Sequence, residues 1–96
     1  MKILRQEHGN RGAVYIEENG EWIAEMTYAR EGARKIVIDH TEVDERLKGK
    51  GVGKHLVAAA VKYARDKNLL LKATCSFAQK VLEKNKEEYE DVLATK

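Results

Sequence analysis

The residues of this chain best suited to chemistry are a run of glycines and lysines, one histidine just before it and one cysteine well after it. Gly49, Gly51 and Gly53 stand at alternate positions among Lys48, Lys50, Val52 and Lys54. Without a Cβ, glycine lets the backbone take φ > 0 and approach a ligand closely. The residues that follow are Ala-rich and helical in pattern, and the first N–H groups of a helix point outward with a partial positive charge. Such a turn suits a diphosphate. His40 ends a β-branched run, and an imidazole titrates near neutral pH. Cys75 ends a later apolar run directly before a helix start, where the helix dipole can lower a thiol pKa.

These residues need elements to hold them, and the neighbouring sequence specifies those elements. Residues 2–6 suit a short first strand, followed by turn residues Gly9, Asn10 and Gly12. The stretch AVYIEENGEWIAEMTY reads as two strands around Asn19-Gly20, a dipeptide fitted to the positive φ angles of a tight hairpin. Period two puts Trp22, Ala24, Met26 and Tyr28 on one face of the second arm, with Glu21, Glu25 and Thr27 on the other. Ile36, Val37 and Ile38 have the β-branched character of a central strand covered on both faces. After the glycines, Leu56, Val57, Ala60, Val61, Tyr63 and Ala64 form the apolar stripe of a helix that ends at Lys67 and Asn68. Leu69, Leu70 and Leu71 then start a strand reached by a helical crossover, which belongs parallel to the strand before the glycines. Ser76 and Gln79 have capping-box spacing, so a second helix starts behind Cys75; Phe77, Val81 and Leu82 dock it, and Asn85 breaks it.

The predicted fold is α+β: an antiparallel meander followed by a β-α-β unit, giving a mixed sheet with a helix packed on it and a further helix at the C-terminal end. With 96 residues, no proline and no repeat or low-complexity linker, residues 1–96 read as one domain. A net charge of +2, from 18 basic and 16 acidic residues that are interspersed, lacks the concentrated basic footprint of a nucleic-acid binder. No apolar run approaches the roughly 20 residues of a membrane span, and the first residues carry too short an apolar stretch for a signal peptide. One cysteine excludes an internal disulfide, and the spacing of His8, His40, His55 and Cys75 contains no close ligand pair for zinc. The expectation is a cytoplasmic protein without nucleic-acid partner, membrane or metal.

Two familiar phosphate loops fail on spacing. Only three residues separate Gly49 from Gly53-Lys54, where a Walker A loop needs four, and His55 follows in place of Ser or Thr. The sixth position of G-x-G-x-x-G is Lys54 counted from Gly49 and Leu56 counted from Gly51, so the dinucleotide fingerprint is absent. The run Lys48-Gly49-Lys50-Gly51-Val52-Gly53 instead resembles the Q/R-x-x-G-x-G/A signature of the GNAT superfamily of acyl-CoA-dependent N-acetyltransferases, with Lys48 in place of Gln or Arg. Hairpin, meander, glycine turn, helix and parallel strand follow in that superfamily's order. The HTEV, KGKGVG and CSFAQKVLEKNKEEYEDVL segments look most like its compact YjdJ-like branch, a likeness that covers nearly the whole chain. The Tyr followed by Gly-Phe that many members place after the last strand, with Tyr as general acid, is absent.

The resemblance implies that acetyl-CoA is the cofactor and an amine, small or protein-borne, the acceptor. By position it places the pantetheine arm along Thr41, Glu42 and Val43, and the diphosphate on Gly49, Lys50, Gly51, Val52, Gly53 and Lys54, with Lys48 adding charge. Acetyl transfer needs a base for the amine proton and a route to protonate the departing thiolate. His40 is the candidate base, with Asp39 and Glu42 the carboxylate alternatives. Cys75 stands as a candidate acetyl acceptor, a proton donor to the CoA thiolate, or a small buried residue. A noncatalytic acyl-CoA-binding or sensing module is the alternative to an enzyme, and a purely structural glycine turn is a third reading.

Overall fold

Asn19 and Gly20 both have positive φ, 53° and 78°, and join β2 (Arg11–Glu18) to β3 (Glu21–Glu31) in the expected hairpin. The computed structural model describes residues 2–94, so Met1, Thr95 and Lys96 of the expected 1–96 domain lie outside the described residues. β1 (Leu4–His8) begins two residues later than expected and pairs antiparallel with β2. β4 (Lys35–Val43) pairs antiparallel with β3, and β5 (Leu70–Ala73) lies parallel to β4, giving the order β1-β2-β3-β4-β5. The mixed sheet is the one the sequence predicts.

Among the described residues, two helices pack against the sheet and a third packs on the second of them. α1 (Val52–Lys67) is the crossover between β4 and β5, and Asn68 closes it in the left-handed conformation. α2 (Ser76–Lys84) ends at Asn85, and α3 (Lys86–Tyr89) follows. The core joins Leu56, Val57, Ala60, Val61 and Ala64 of α1 to Met26, Tyr28, Ile36, Ile38 and Leu71 of the sheet, with Val81, Leu82, Tyr89 and Val92 closing the C-terminal side. Because α2 touches α1 as well as β4 and β5, both helices lie on one face. The opposite face has no helix on it among the described residues. Ile36 and Ile38 are therefore fully buried, while Val37 between them is only half-buried, so this strand is covered on one face and not on both as expected.

Two bulges adjust which side chains share a face. In the β2–β3 pair, Ile16 opposes Ala24 and Glu17 opposes Trp22, leaving Ile23 as the extra residue. Ile23 joins Ala24 in the core, and Trp22 passes to the uncovered face, where it stacks on Tyr15 with ring centroids 3.9 Å apart. Simple alternation, which puts Trp22 with Ala24, fails at this bulge. In the β3–β4 pair, Thr27 opposes His40 and Tyr28 opposes Ile38, leaving Asp39 as the extra residue.

A polar cluster ties β1 to the far end of α1. Glu7 accepts from Arg5 at 2.7 Å, from Arg30 at 3.1 Å, and from the hydroxyls of Tyr63 at 3.0 Å and Tyr28 at 3.2 Å. Gly12 leaves room for the Tyr28 ring, since a Cβ there would lie 2.4 Å from it. Burial pushes the Glu7 carboxyl up, but the hydrogen bonds from Tyr63, Arg30 and Tyr28 outweigh it and hold the group below its ordinary value.

Candidate active site

The parallel ladder of β4 and β5 runs from Lys35 opposite Leu70 to Ile38 opposite Ala73, and there the strands part. The N–H groups of Thr74 and Cys75 both donate to the Ile38 carbonyl, at 2.9 and 3.3 Å, which ends the pairing. The bulge at Asp39 falls at the same point and bends β4. Beyond it β4 continues to Val43 with β3 on one side and, among the described residues, no strand on the other. That free edge offers backbone donors and acceptors to an extended ligand arm.

The edge leads directly to the glycine turn. Asp44 caps a 3-10 turn over Glu45–Leu47 by accepting from the Arg46 N–H at 2.9 Å, and its own N–H is anchored on the Ile23 carbonyl at 2.8 Å. Gly49 and Gly51 then take φ of 81° and 72°, left-handed values that glycine adopts without strain. Gly51 is the N-cap of α1 and has no side chain to cap it. His55 is the first residue of α1 to bond back, donating to the Gly51 carbonyl at 3.2 Å, so the N–H groups of Val52, Gly53 and Lys54 are left for a ligand. No acidic residue lies in the first turn of this helix, and Lys48, Lys50 and Lys54 surround it. A diphosphate fits this donor set in charge and in hydrogen bonding.

Gly53 serves a different need from the other two glycines. It lies inside α1, and a Cβ there would sit 2.4 Å from the Phe77 ring, so it marks a close approach between helices instead of a turn. Phe77, expected to help dock α2, does meet α1 at Gly53, yet it is 40% exposed and walls a groove of about 350 Å³. Thr41, Val43, Lys48, Gly49, Gly51, Val52, Gly53 and Lys54 also line this groove. Of the expected cofactor contacts, Glu42 and Lys50 do not: Glu42 points to the other face, and the Lys50 N–H is spent on the Leu47 carbonyl at 3.3 Å. Leu47 and Phe77 are the lining residues that the sequence reading missed. A glycine within the first turn of an otherwise Ala- and Val-rich helix was the available signal for Phe77.

Cys75 sits where the strands part. Its thiol lies 3.4 Å from the Thr41 hydroxyl, and it is the N-cap of α2. Burial pushes the thiol pKa up; the Thr41 hydroxyl and the N–H groups of Ala78 and Phe77, turned toward sulfur without closing a full cap bond, overcome this and bring it below its ordinary value. Negative charge on nearby Asp39 works in the opposite direction. The expected capping box is not formed. α2 starts behind Cys75 as predicted, but Gln79 donates to the Ala73 carbonyl at 2.9 Å and so holds the end of β5 instead of the Ser76 backbone.

Alternation along β4 separates the remaining candidates. Thr41 and Val43 oppose Met26 and Ala24 and face the helices, whereas His40 and Glu42 oppose Thr27 and Glu25 and face the uncovered side. His40 Nε2 is 3.4 Å from Glu42 Oε1 in an exposed pair. Asp39 accepts from the Thr27 hydroxyl at 2.6 Å and pairs with Arg11 at 3.0 Å. The groove and Cys75 thus lie on one side of the strand, and His40 with Glu42 on the other.

Residues 12–92 match the family model of the GCN5-related N-acetyl-transferases. The chain belongs to this family. Protein NATD1 of Bos taurus is 32% identical over 84 residues, a span of 85% of this chain and 74% of that protein. A GCN5-like protein from Staphylococcus aureus, solved by NMR, is 41% identical and aligns with a TM-score of 0.71 over 97% of this chain and 87% of its own. The ribosomal-protein-alanine N-acetyltransferase of Brucella melitensis shares the fold, with a TM-score of 0.56 at 22% identity over 91% of this chain and 64% of its own. In this GCN5-related chain the glycine turn and the free β4 edge share one groove, and Thr41, which lines it, touches Cys75 just outside the lining.

Proposed function

We propose that this chain is an acetyl-CoA-dependent N-acetyltransferase in which the groove holds the cofactor and the uncovered side of β4 receives the amine. The observation that carries the reading is the continuity of the free edge at Thr41 and Val43 with the unpaired N–H groups of Val52, Gly53 and Lys54 in a single groove. Membership of the family supports the same reading. Bound acetyl-CoA would supply a thioester, from which amine attack forms a C–N bond and breaks the C–S bond, giving an amide and the thiol of CoA.

The roles of the chain's own residues follow from where they stand. Backbone groups at Thr41 and Val43 hold the extended arm, while Lys48 and Lys54 neutralise charge beside the helix start. His40, with Glu42 beside it at 3.4 Å, takes the proton that the amine must lose, from the side opposite the groove. The Cys75 thiol, bonded to Thr41, lies at the parting of the strands and gives its proton to the departing thiolate. Transfer is direct in this scheme, and the amine proton returns the site to its starting state through His40 and solvent. Calorimetric titration with acetyl-CoA, followed by an assay of amine-dependent thiol release, tests the proposal. Absence of binding at high micromolar acetyl-CoA overturns it.

A further inference from the structure

The uncovered face of the sheet is divided by charge, and its division bears on the acceptor. One end carries Arg11, Lys35 and Lys72, with Asp39 paired to Arg11 and Glu31 to Lys35; the other, on the far side of His40, carries Glu17, Glu25 and Glu42. Glu25 and Glu42 are direct cross-strand partners, and like charges in that position destabilise a sheet. Among the described residues neither Glu17 nor Glu25 forms an ion pair, and Glu42 has only the His40 imidazole. On the same half-face Trp22 lies over Tyr15, with planes 11° apart, and remains half-exposed. Aromatic faces and uncompensated carboxylates together attract cations.

We infer that this acidic, aromatic half-face docks the acceptor, and that the acceptor is a lysine within a basic stretch of polypeptide. The inference deepens the acetyltransferase reading and rests on it for the chemistry, while the docking itself can be observed without turnover. Charge complementarity selects a cationic partner, and flanking Lys or Arg side chains meet Glu17, Glu25 and the Trp22 ring while the reacting amine lies at His40. A small amine is retained by an enclosing pocket that buries most of its surface. This is an open sheet surface spread across β2, β3 and β4, a shape that an extended chain covers.

Trp22 is the single tryptophan of the chain, so its fluorescence reports occupancy of this surface directly. The probes are a peptide with one lysine flanked by arginines, the same peptide with glutamates as flanks, and spermine. The arginine-flanked peptide is expected to change Trp22 emission saturably, in a salt-sensitive way, at concentrations at least tenfold below either other probe. Glu25→Lys, and independently Glu17→Lys, should each weaken that binding at least tenfold. In thiol-release assays at saturating acetyl-CoA, the same variants should raise KM for the peptide at least tenfold with kcat and acetyl-CoA affinity unchanged. Equal binding of the two peptides, equal binding of spermine, or indifference to both substitutions overturns the acceptor assignment. Failure to bind acetyl-CoA with peptide docking intact overturns the acetyltransferase reading and leaves the docking surface standing.

Discussion

The Thr41 hydroxyl and the Cys75 thiol meet at 3.4 Å across the point where β4 and β5 part. One residue belongs to the strand with the free edge and the other caps α2, so their contact joins the two elements that border the groove. Because this hydroxyl favours the thiolate, Thr41→Val should move the pH of half-maximal iodoacetamide alkylation of Cys75 upward. Asp39→Asn should move it downward, since the carboxylate charge opposes ionisation of the thiol. Unchanged profiles in both variants would remove Thr41 and Asp39 as influences on the thiol.

Gly53→Ala tests the close approach of α1 and Phe77. Alanine improves helix propensity by up to about 1 kcal/mol, yet its Cβ would lie 2.4 Å from the ring. Phe77 is 40% exposed and its ring tip, the far end of a rotatable side chain, can swing aside, so urea denaturation should show a net change of less than about 1 kcal/mol. In a Phe77→Ala background the same substitution should be stabilising through helix propensity alone, and the difference between the two backgrounds is the coupling across the contact. Equal effects in both backgrounds would show that the two residues do not press on each other.

His40→Ala should lower kcat by about 10²–10⁴-fold, the range expected when a general base is removed. Acetyl-CoA affinity should be unchanged, because His40 and the groove lie on opposite sides of β4. Calorimetry and thiol-release kinetics on one preparation separate the two effects. A parallel fall in both would make His40 a residue that shapes the groove instead of a base.

Glu7→Gln should lower stability at neutral pH by about 1–3 kcal/mol, the order of a hydrogen bond to a charged group lost at a half-buried site. Native Glu7 has a depressed pKa because the bonds from Tyr63, Arg30 and Tyr28 prevail over burial. Its contribution is therefore fully present above the unfolded value of 4.5 and disappears as the pH falls through the lower folded value. Denaturation curves of the two proteins should converge below that pH. A difference that persists in acid would assign the loss to packing.

Local signals determined a large share of this fold. Asn19-Gly20 is a hairpin turn because both residues tolerate positive φ, and Asn68 ends α1 for the same reason. The apolar stripe of α1 and the helical crossover it makes were enough to place β5 parallel beside β4. The glycine turn was legible as a helix start with free N–H groups, because these follow from backbone geometry alone.

Tertiary structure decided what adjacency in sequence does not carry. A bulge at Ile23 sends Trp22 to the uncovered face, and a bulge at Asp39 opens β4 beside β5; each depends on how two strands register, a property of the pair. Strand alternation then separates His40 from Thr41, so residues adjacent in the chain serve opposite sides of the site. Contacts such as Glu7 with Tyr63, Gly53 with Phe77 and Thr41 with Cys75 span 56, 24 and 34 positions. They exist only after the sheet and helices pack, because residues so far apart in the chain meet only when whole elements are brought together.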